Sequence, residues 1–452
     1  MNTLGILFGT DGVRGVANKD LTAELAYKLG QAGAYVLTSE LNSRPKVLVG
    51  MDTRISGDML KSALVAGLCS VGANAVYLGV VPTPAVAYLV RHYKADAGVV
   101  ISASHNSFEF NGIKFFNNKG FKLSDEIEER IESIILNNSE EISLPTGDRL
   151  GTETTVKNAV DDYVNYIKST VDGNFKGMKV AIDCANGAAF KTAPKALMEL
   201  GAEVFVINDK PDGININKNC GSTQMECLIE FVKKSGADLG LAFDGDADRV
   251  LAVDETGSIV DGDQIMAITG LYLKEKGKLS KDTIVATVMS NLGLDMMAKR
   301  ENLKVVKTKV GDRYVLECML ENGYVLGGEQ SGHIIFLEHN TTGDGLLTGV
   351  QLLSVLKSSG KKLSELASVM QVLPQVLRNA KVKNEKKNSY LEDEVVREMC
   401  KKLEEEFNGE GRVLIRASGT EPLIRVMIEG KDQEYITGKA EELAKVIEER
   451  LG

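Results

Sequence analysis

Three carboxylates at alternate positions are the residues whose spacing points most directly to chemistry. Asp244, Asp246 and Asp248 lie between the apolar stretches 241–243 and 250–253. Oxygen ligands of this kind suit a hard cation, Mg²⁺ before Ca²⁺. The alternative is an acidic surface turn, but carboxylates this close repel one another unless a cation joins them. The spacing therefore predicts a metal site.

A serine pair follows another apolar stretch. Ser104 stands beside His105 directly after the predicted strand 98–101, with Ser102 two residues earlier. A serine next to a histidine can act as a nucleophile. The alternative is a polar loop that only begins the next element. No G-x-S-x-G sequence surrounds either serine, which argues against an α/β-hydrolase.

Two further loops carry groups that bind anions or sugars. Arginine guanidinium groups, hydroxyls and the backbone N–H groups of a glycine-containing turn can together bind a phosphate. One loop offers this combination in Arg416, Ser418, Gly419, Thr420 and Arg425. An ordinary turn with surface arginines is the alternative. The loop 328–333 offers an acceptor, an amide and an imidazole, the mixture that carbohydrate hydroxyls require, although a solvated loop has the same composition. The glycine-rich turn 9–15, which contains Arg14, is interpreted as structural on its own residues.

The elements that position these loops alternate between strands and helices. Residues 46–50 and 75–78 are predicted strands, and 57–72 is a predicted helix between them. A further helix is predicted to begin with Thr83 as its N-cap. This alternation favours α/β layers with mostly parallel sheets.

An internal repeat organises most of the chain. The stretches 95–101, 237–243 and 323–328 share one pattern, and the loops after them contain Ser104, Asp246 and Glu329 respectively. Each loop is followed by a short apolar strand, a glycine-closed turn and a helix. We therefore predict three tandem related α/β units, each with one polar loop at a strand end, where open α/β sheets bind ligands.

The last 80 or so residues break this pattern. Predicted helices at 391–407 and 439–451 flank two strands, which indicates a smaller α+β domain. We predict four domains, each of which carries one of these loops. Domain 1–152 contains the serine loop, 153–257 the metal loop, 258–371 the sugar-binding loop, and 372–452 the phosphate-binding loop.

Composition excludes several classes of protein. The chain has 452 residues and a formal net charge of −10, which argues against nucleic-acid or anionic-membrane partners. Its six cysteines form no C-x-x-C pair, so neither a disulfide scaffold nor a zinc site is expected. No apolar run approaches ~18 residues, and the N-terminus lacks a signal-peptide pattern. We therefore expect a cytoplasmic protein.

Taken together, the loops resemble those of the α-D-phosphohexomutase superfamily, and most closely its bacterial members that act on glucosamine phosphate. The resemblance runs from Gly9 to Arg425, with the motifs in family order. It implies an α/β fold of three tandem related α/β domains plus a smaller C-terminal α+β domain around a central cleft. One departure is Ser107, where the family usually has a proline that would stiffen the turn.

The resemblance also implies roles for individual residues. Ser104 would be a phosphoserine, with Ser102 as the second candidate. One Mg²⁺ per chain would be held by that phosphate with Asp244, Asp246 and Asp248. Further basic groups around the phosphoryl centre would be Arg14, His105, Lys114, Arg249 and Lys309, of which Lys309 or His105 would serve as acid or base.

The substrate-binding groups are implied in the same way. Sugar hydroxyls would be bound by Glu329 and Ser331, with His333 nearby. The phosphate that is not transferred would be clamped by Arg416, Ser418, Gly419, Thr420 and Arg425.

The implied activity is an isomerisation. A hexosamine phosphate, glucosamine-6-phosphate, would be interconverted with glucosamine-1-phosphate through a sugar 1,6-bisphosphate that also serves as activator, feeding UDP-N-acetylglucosamine and cell-wall precursor synthesis. Gln330 favours glucosamine by resemblance. Glucose or mannose phosphate, a phosphatase, and a non-catalytic sugar-phosphate sensor are the alternatives. The chain would act as a monomer or homodimer.

Overall fold

The serine loop, residues 102–109, connects two neighbouring strands of the first sheet. The computed structural model describes residues 5, 7–9, 11–38, 44–418 and 421–452. The first sheet has the order β1-β2-β6-β5-β3-β4-β7. Its strands are β1 Phe8–Gly9, β2 Gly12–Val16, β3 Lys46–Met51, β4 Asn74–Val80, β5 Ala97–Ile101, β6 Phe110–Asn117 and β7 Glu153–Thr155. Its helices are α1 Ala23–Thr38, α2 Gly57–Ser70, α3 Thr83–His92 and α4 Asp125–Asn137, followed by a 3₁₀ turn at Gly147–Arg149.

The second sheet has the order β12-β11-β10-β8-β9. Its strands are β8 Lys179–Asp183, β9 Glu203–Ile207, β10 Leu239–Phe243, β11 Val250–Asp254 and β12 Ile259–Val260. The helices around it are α5 Ala159–Ser169, α6 Ala189–Glu199 and α7 Glu226–Ser235. All five residues of β10 are buried, as expected for a short apolar strand covered on both faces.

The third sheet has the order β14-β13-β15-β16. Its strands are β13 Thr283–Thr287, β14 Lys304–Thr308, β15 Leu326–Gly328 and β16 Ile334–Phe336. The helices of this segment are α8 Gly262–Glu275, α9 Leu292–Arg300, α10 Asp312–Asn322, α11 Gly345–Ser359 and α12 Leu363–Ala367, with a 3₁₀ turn at Ser280–Asp282.

The same strand arrangement recurs in these sheets. A buried strand pairs in parallel with the strand on one side and antiparallel with the next strand of the chain on the other: β3·β5·β6, β8·β10·β11 and β13·β15·β16. The connections β5–β6, β10–β11 and β15–β16 carry the serine, aspartate and glutamate loops. The predicted internal repeat is thus confirmed, and so is the prediction that each polar loop lies at a strand end.

The fourth sheet is antiparallel, with the order β17-β19-β18. Its strands are β17 Gln375–Lys381, β18 Gly411–Ala417 and β19 Leu423–Gly430; the helices are α13 Glu394–Phe407 and α14 Gln433–Leu451, with 3₁₀ turns at Asn384–Lys386 and Ser389–Leu391. Val376, Ile424, Ile428 and Leu443 belong to one buried apolar cluster. This α+β arrangement agrees with the prediction for the C-terminal segment.

The chain divides into two compact units. The first comprises residues 1–289 and 303–369, and the second comprises 290–302 and 370–452. The first three sheets lie in the first unit, and the fourth sheet lies in the second together with α9. Among the described residues, no helix combines the length and the apolar character that crossing a bilayer requires.

Candidate active site

Ser104 occupies the loop between β5 and β6 and is almost completely buried. Its backbone adopts a left-handed conformation with φ of 52°, which is uncommon for a residue with a side chain. Its hydroxyl donates a hydrogen bond of 2.5 Å to Asp244 Oδ2. The serine loop of the first sheet and the metal loop of the second sheet therefore meet at this atom pair.

Ser102 has a different environment. Its hydroxyl donates to Asp52 Oδ2 at 2.6 Å, and its oxygen accepts the Ser104 N–H at 3.0 Å. It is fully buried, and both hydrogen bonds tie it to the scaffold. Ser104, which faces the acidic group, is therefore the better placed of the two serines for phosphorylation.

Asp244, Asp246 and Asp248 present oxygens that all lie within 4.8 Å of one another, as the sequence spacing predicts. Burial, together with the charges of Asp248 and Asp246, raises the pKa of the Asp244 carboxyl well above its usual range. Within the described chain, Oδ1 of Asp246 and Oδ1 of Asp248 are buried without a hydrogen-bond partner. Buried carboxylate oxygens are normally paired or bound to metal, so this set fits a divalent cation such as Mg²⁺.

The Oδ2 oxygen of Asp246 is hydrogen-bonded by residues that belong to the first sheet and its helices. Oδ2 accepts hydrogen bonds from Lys114 Nζ at 2.8 Å and from the Thr83 hydroxyl at 2.6 Å. Although burial alone would raise the pKa of Asp246, Lys114 holds it well below its usual range, so this carboxylate stays ionised. Its second oxygen remains available as a ligand.

The prediction that Thr83 caps its helix is wrong. Helix α3 includes Thr83, the N-cap position is Pro82, and no side chain caps this end. The threonine hydroxyl is used instead on Asp246, and the Thr83 N–H donates to the Asp246 carbonyl at 3.0 Å. The first residue of helix α3 thus binds the metal loop and does not cap the helix.

Asp11 gathers the basic groups beside the metal loop. Its carboxylate pairs with Lys114 at 2.8 Å, with Lys122 at 2.6 Å and with Arg14. Burial opposes its ionisation, but Lys114, Lys122 and Arg14 together hold the pKa of Asp11 well below its usual range. The predicted residues Arg14 and Lys114 are therefore brought together by an aspartate that the sequence analysis did not select.

Lys122 extends this network to the third sheet. Its ammonium also pairs with Asp312, the first residue of α10. The Asp312 carboxylate lies 3.6 Å from Nε2 of His333, which in turn lies 4.0 Å from Asp248. His333 therefore borders the metal loop, and its ring nitrogens have no hydrogen-bond partner among the described residues.

Replacing Lys122 by methionine should lower the free energy of unfolding by about 3 kcal/mol, because it leaves the largely buried carboxylate of Asp312 without its cation. The matched control is Lys195→Met, which removes the exposed ion pair with Asp161 and should cost about 1 kcal/mol or less. Urea unfolding followed by circular dichroism measures both values. Equal losses in the two variants would contradict the importance assigned to Lys122.

His105 and Arg249 complete the group around Ser104. His105 Nδ1 lies 3.4 Å from the Ser104 hydroxyl and 3.3 Å from the Arg249 guanidinium. Burial, and then the charges of Arg249 and Arg14, lower the pKa of the His105 imidazole. A neutral imidazole next to the serine can accept a proton.

The remaining predicted residues of the first unit are less closely connected. Glu329 accepts the Gly311 N–H at 3.2 Å and lies close enough to Arg249 for their charges to interact. Lys309 and Ser331 are exposed. Within the described residues, neither makes a hydrogen bond or ion pair with the group around Ser104, so their predicted contacts would have to be made to the substrate.

Arg416, Ser418 and Arg425 lie in the second unit. Arg416 and Arg425 stand directly opposite each other on β18 and β19, an arrangement that is unfavourable without an anion. Burial, followed by the charge of Arg425, lowers the pKa of Arg416. The Ser418 hydroxyl accepts the Glu421 N–H at 3.3 Å. The predicted residues Gly419 and Thr420 lie outside the described residues.

The sequence analysis missed several residues that contact this group: Asp11, Thr83, Lys122 and Asp312, and also Asp52, Arg54 and Asn217 around the serine loop. Asp52 and Arg54 directly follow strand β3, so their position at a strand end was a usable signal. Lys122 and Asp312 carry no such signal, since each is an isolated charge far from its partners in sequence.

Comparison with known proteins identifies the family. Four models described as phosphoglucomutase/phosphomannomutase match the chain: α/β/α domain I at residues 5–142, domain II at 161–257, domain III at 261–373, and the C-terminal domain at 377–446. The chain belongs to the phosphoglucomutase/phosphomannomutase family. The predicted superfamily, with three α/β domains and a C-terminal domain, is confirmed.

Individual relatives of this family cover the whole chain. The phosphoglucosamine mutase of Acetivibrio thermocellus is 74% identical over 449 residues, covering 99% of this chain and 100% of that protein. A Burkholderia thailandensis protein of the phosphoglucomutase/phosphomannomutase family has a similar structure, with a TM-score of 0.80, 23% identity, and coverage of 99% and 98%. Aspergillus fumigatus N-acetylphosphoglucosamine mutase, solved with GlcNAc-6P and magnesium, has a TM-score of 0.70, 17% identity, and coverage of 99% and 96%.

Proposed function

We propose that this phosphohexomutase interconverts glucosamine-6-phosphate and glucosamine-1-phosphate. The observation that carries the proposal is the hydrogen bond from the Ser104 hydroxyl to Asp244, beside the unpartnered oxygens of Asp246 and Asp248. A buried serine that is hydrogen-bonded to a group of carboxylates able to bind a divalent cation suits phosphoryl transfer. The high identity to a phosphoglucosamine mutase supports the choice of sugar.

The proposed reaction begins with phosphate on Ser104. The 1-hydroxyl of glucosamine-6-phosphate attacks the phosphorus atom, the bond from phosphorus to the serine oxygen breaks, and a bond to the sugar oxygen forms. The hydroxyl proton passes to His105 or Lys309. The Ser104 oxygen then attacks the 6-phosphoryl group of the 1,6-bisphosphate, the bond from phosphorus to the 6-oxygen breaks, and the 6-oxygen takes back the proton, which leaves glucosamine-1-phosphate.

The chain's own residues hold this reaction in place. Asp244, Asp246 and Asp248 would bind one Mg²⁺ together with the Ser104 phosphate. When bound, Mg²⁺ neutralises phosphoryl oxygens and stabilises the charge that develops during in-line transfer. Arg249 contacts the same ring nitrogen of His105 as the Ser104 hydroxyl does, so its guanidinium can pair with phosphoryl oxygens there.

Other residues would bind the rest of the substrate. We assign sugar hydroxyls to Glu329 and Ser331, with His333 beside them. The phosphate that is not transferred is assigned to the second unit, through Arg416, Ser418, Gly419, Thr420 and Arg425. The opposed arginines support this role, since a dianion would relieve their repulsion.

Gln330 supports the assignment of glucosamine in a specific way. Its side-chain nitrogen donates to Asp261 Oδ2 at 3.1 Å, which orients the amide. The amide oxygen is then left as the acceptor for a substrate ammonium. A cytoplasmic location and a monomeric or dimeric state stay predictions from the sequence.

Phosphorus NMR tests the proposal directly. The purified protein, with Mg²⁺ and a trace of sugar 1,6-bisphosphate, is given glucosamine-6-phosphate, glucose-6-phosphate or mannose-6-phosphate in separate tubes. We expect the glucosamine ester to be converted fastest, about tenfold or more over the others, because a hydrogen-bonding site discriminates against substrates that lack its partner.

Each other outcome points to a different conclusion. Faster conversion of glucose or mannose phosphate would overturn the role of Gln330 but keep the reaction. Inorganic phosphate as the only product would indicate a phosphatase. No change in any tube would refute a mutase and favour a sugar-phosphate sensor.

A further inference from the structure

The guanidinium of Arg54 has no free N–H group. Arg54 is 2% exposed, and it follows β3 directly. Its Nε donates to Asp52 at 2.8 Å. Its remaining donors bind main-chain carbonyls of one loop, those of Ser104 at 2.8 Å, Asn106 at 2.8 Å, Phe110 at 3.0 Å and Ser107. One side chain thus determines the path of the whole serine loop.

Asn217 binds the same loop from another part of the first unit. Its side-chain nitrogen lies 2.9 Å from the Ser104 carbonyl and 3.0 Å from the Asn106 carbonyl. Both carbonyls therefore receive one donor from Arg54 and one from Asn217. The loop is held between the segment after β3 and the segment before Cys220.

The conformation of Ser104 explains why such support is needed. A left-handed φ of 52° is unfavourable for a residue with a side chain and persists only where the surroundings fix it. The Ser104 N–H is bound by Ser102, whose hydroxyl donates to Asp52, the carboxylate partner of Arg54. The N–H and the carbonyl of Ser104 are therefore both bound by one connected set of hydrogen-bonded side chains, which includes Arg54.

We propose that Arg54 and Asn217 are positioning residues that hold Ser104 so that its oxygen points at the metal loop. The inference rests on the proposed phosphoryl transfer at Ser104. Neither residue is assigned a contact with substrate. Since a misplacement of about 1 Å can cost about 100-fold in rate, loss of these hydrogen bonds should lower kcat more than it changes KM.

The variants are Arg54→Lys and Asn217→Gly. Lysine keeps the charge but has one ammonium in place of the fork that spans four carbonyls. Glycine tolerates the φ of 58° at Asn217 and removes only the donor. The control is Arg412→Lys in the second unit, where the arginine binds Glu429 and the Ser290 carbonyl.

The measurements are kcat and KM for glucosamine-6-phosphate at 25 °C, with the melting temperature of each variant. We expect kcat to fall about 30–100-fold in Arg54→Lys and about 5-fold in Asn217→Gly, with KM within about threefold. Arg412→Lys should keep the wild-type kcat. Lower melting temperatures with unchanged kcat would mean a purely structural role and would overturn the proposal.

The two proposals fail in different ways. If the wild-type protein converts no sugar phosphate, the proposed function fails. If the wild type is active and both variants match it, only the positioning role fails. Should Arg54→Lys not fold, Asn217→Gly decides alone, because it lies on a half-exposed loop and removes no charge.

Discussion

Ser104→Ala should lower mutase turnover by about 10⁴-fold or more, to the limit of detection, because it removes the oxygen that is proposed to carry the phosphoryl group between the two sugar positions. The fold should survive, since the Ser104 hydroxyl makes hydrogen bonds only within the polar site. Phosphorus NMR of glucosamine-6-phosphate conversion gives the rate.

A second measurement separates the two serines. After incubation with glucosamine 1,6-bisphosphate, intact mass spectrometry should show one added phosphoryl group on the wild type and on Ser102→Ala, but none on Ser104→Ala. Ser102→Ala serves as the control because it removes the hydrogen bonds to Asp52 and to the Ser104 N–H but leaves the Ser104 oxygen in place. A phosphorylated Ser104→Ala protein would refute the assignment.

Removing Mg²⁺ should abolish turnover and also lower the stability of the first unit. Ligand binding to the folded state alone stabilises it by about 2.7 kcal/mol at a concentration 100 times Kd. The wild-type melting temperature should therefore rise with Mg²⁺ concentration. Asp248→Asn, which removes one ligand and its negative charge, should lose this rise.

The control for the metal site is Asp254→Asn. Asp254 is also a buried carboxylate, but it accepts hydrogen bonds from Thr256 and Ser258 in a turn. That variant should melt at a lower temperature and still respond to Mg²⁺. Calorimetry with and without EDTA measures both effects, and a rise of equal size in Asp248→Asn would count against the assigned ligand set.

The affinity for Mg²⁺ should increase with pH. Burial and the charges of Asp248 and Asp246 raise the pKa of Asp244 in the metal-free protein, so this carboxyl holds its proton to a higher pH than an ordinary aspartic acid. Because a metal ligand must be deprotonated, binding improves as the pH rises through that raised pKa.

Groups close together in sequence were predictable. The three aspartates, the serine loop and the repeated strand–loop–strand pattern all lie within short stretches, and the structure places them as the sequence indicates. Helix ends were less accurate. Helices α13 and α14 begin at Glu394 and Gln433, after the capping side chains of Asp393 and Asp432, rather than at 391 and 439.

Groups joined only by the fold were not predictable. Asp11, Lys122 and Asp312 are separated by more than 100 residues at each step, and each is an ordinary charge in sequence. Thr83 has the sequence context of a helix cap, yet a tertiary hydrogen bond to Asp246 takes its hydroxyl. Local propensity cannot reveal such a choice, because the competing partner comes from another sheet.

The hydrogen bonds of Thr83 and Lys114 to Asp246 fasten the metal loop to the sheet that carries the serine loop. A centre fastened in this way cannot swing from one end of a sugar to the other. In the proposed reaction the bisphosphate would therefore have to dissociate, rotate and bind again, and each dissociation would give it an opportunity to escape. A bisphosphate molecule that escapes would take the phosphoryl group with it and leave Ser104 unphosphorylated. If the proposed reaction holds, these contacts predict that activity depends on added sugar bisphosphate.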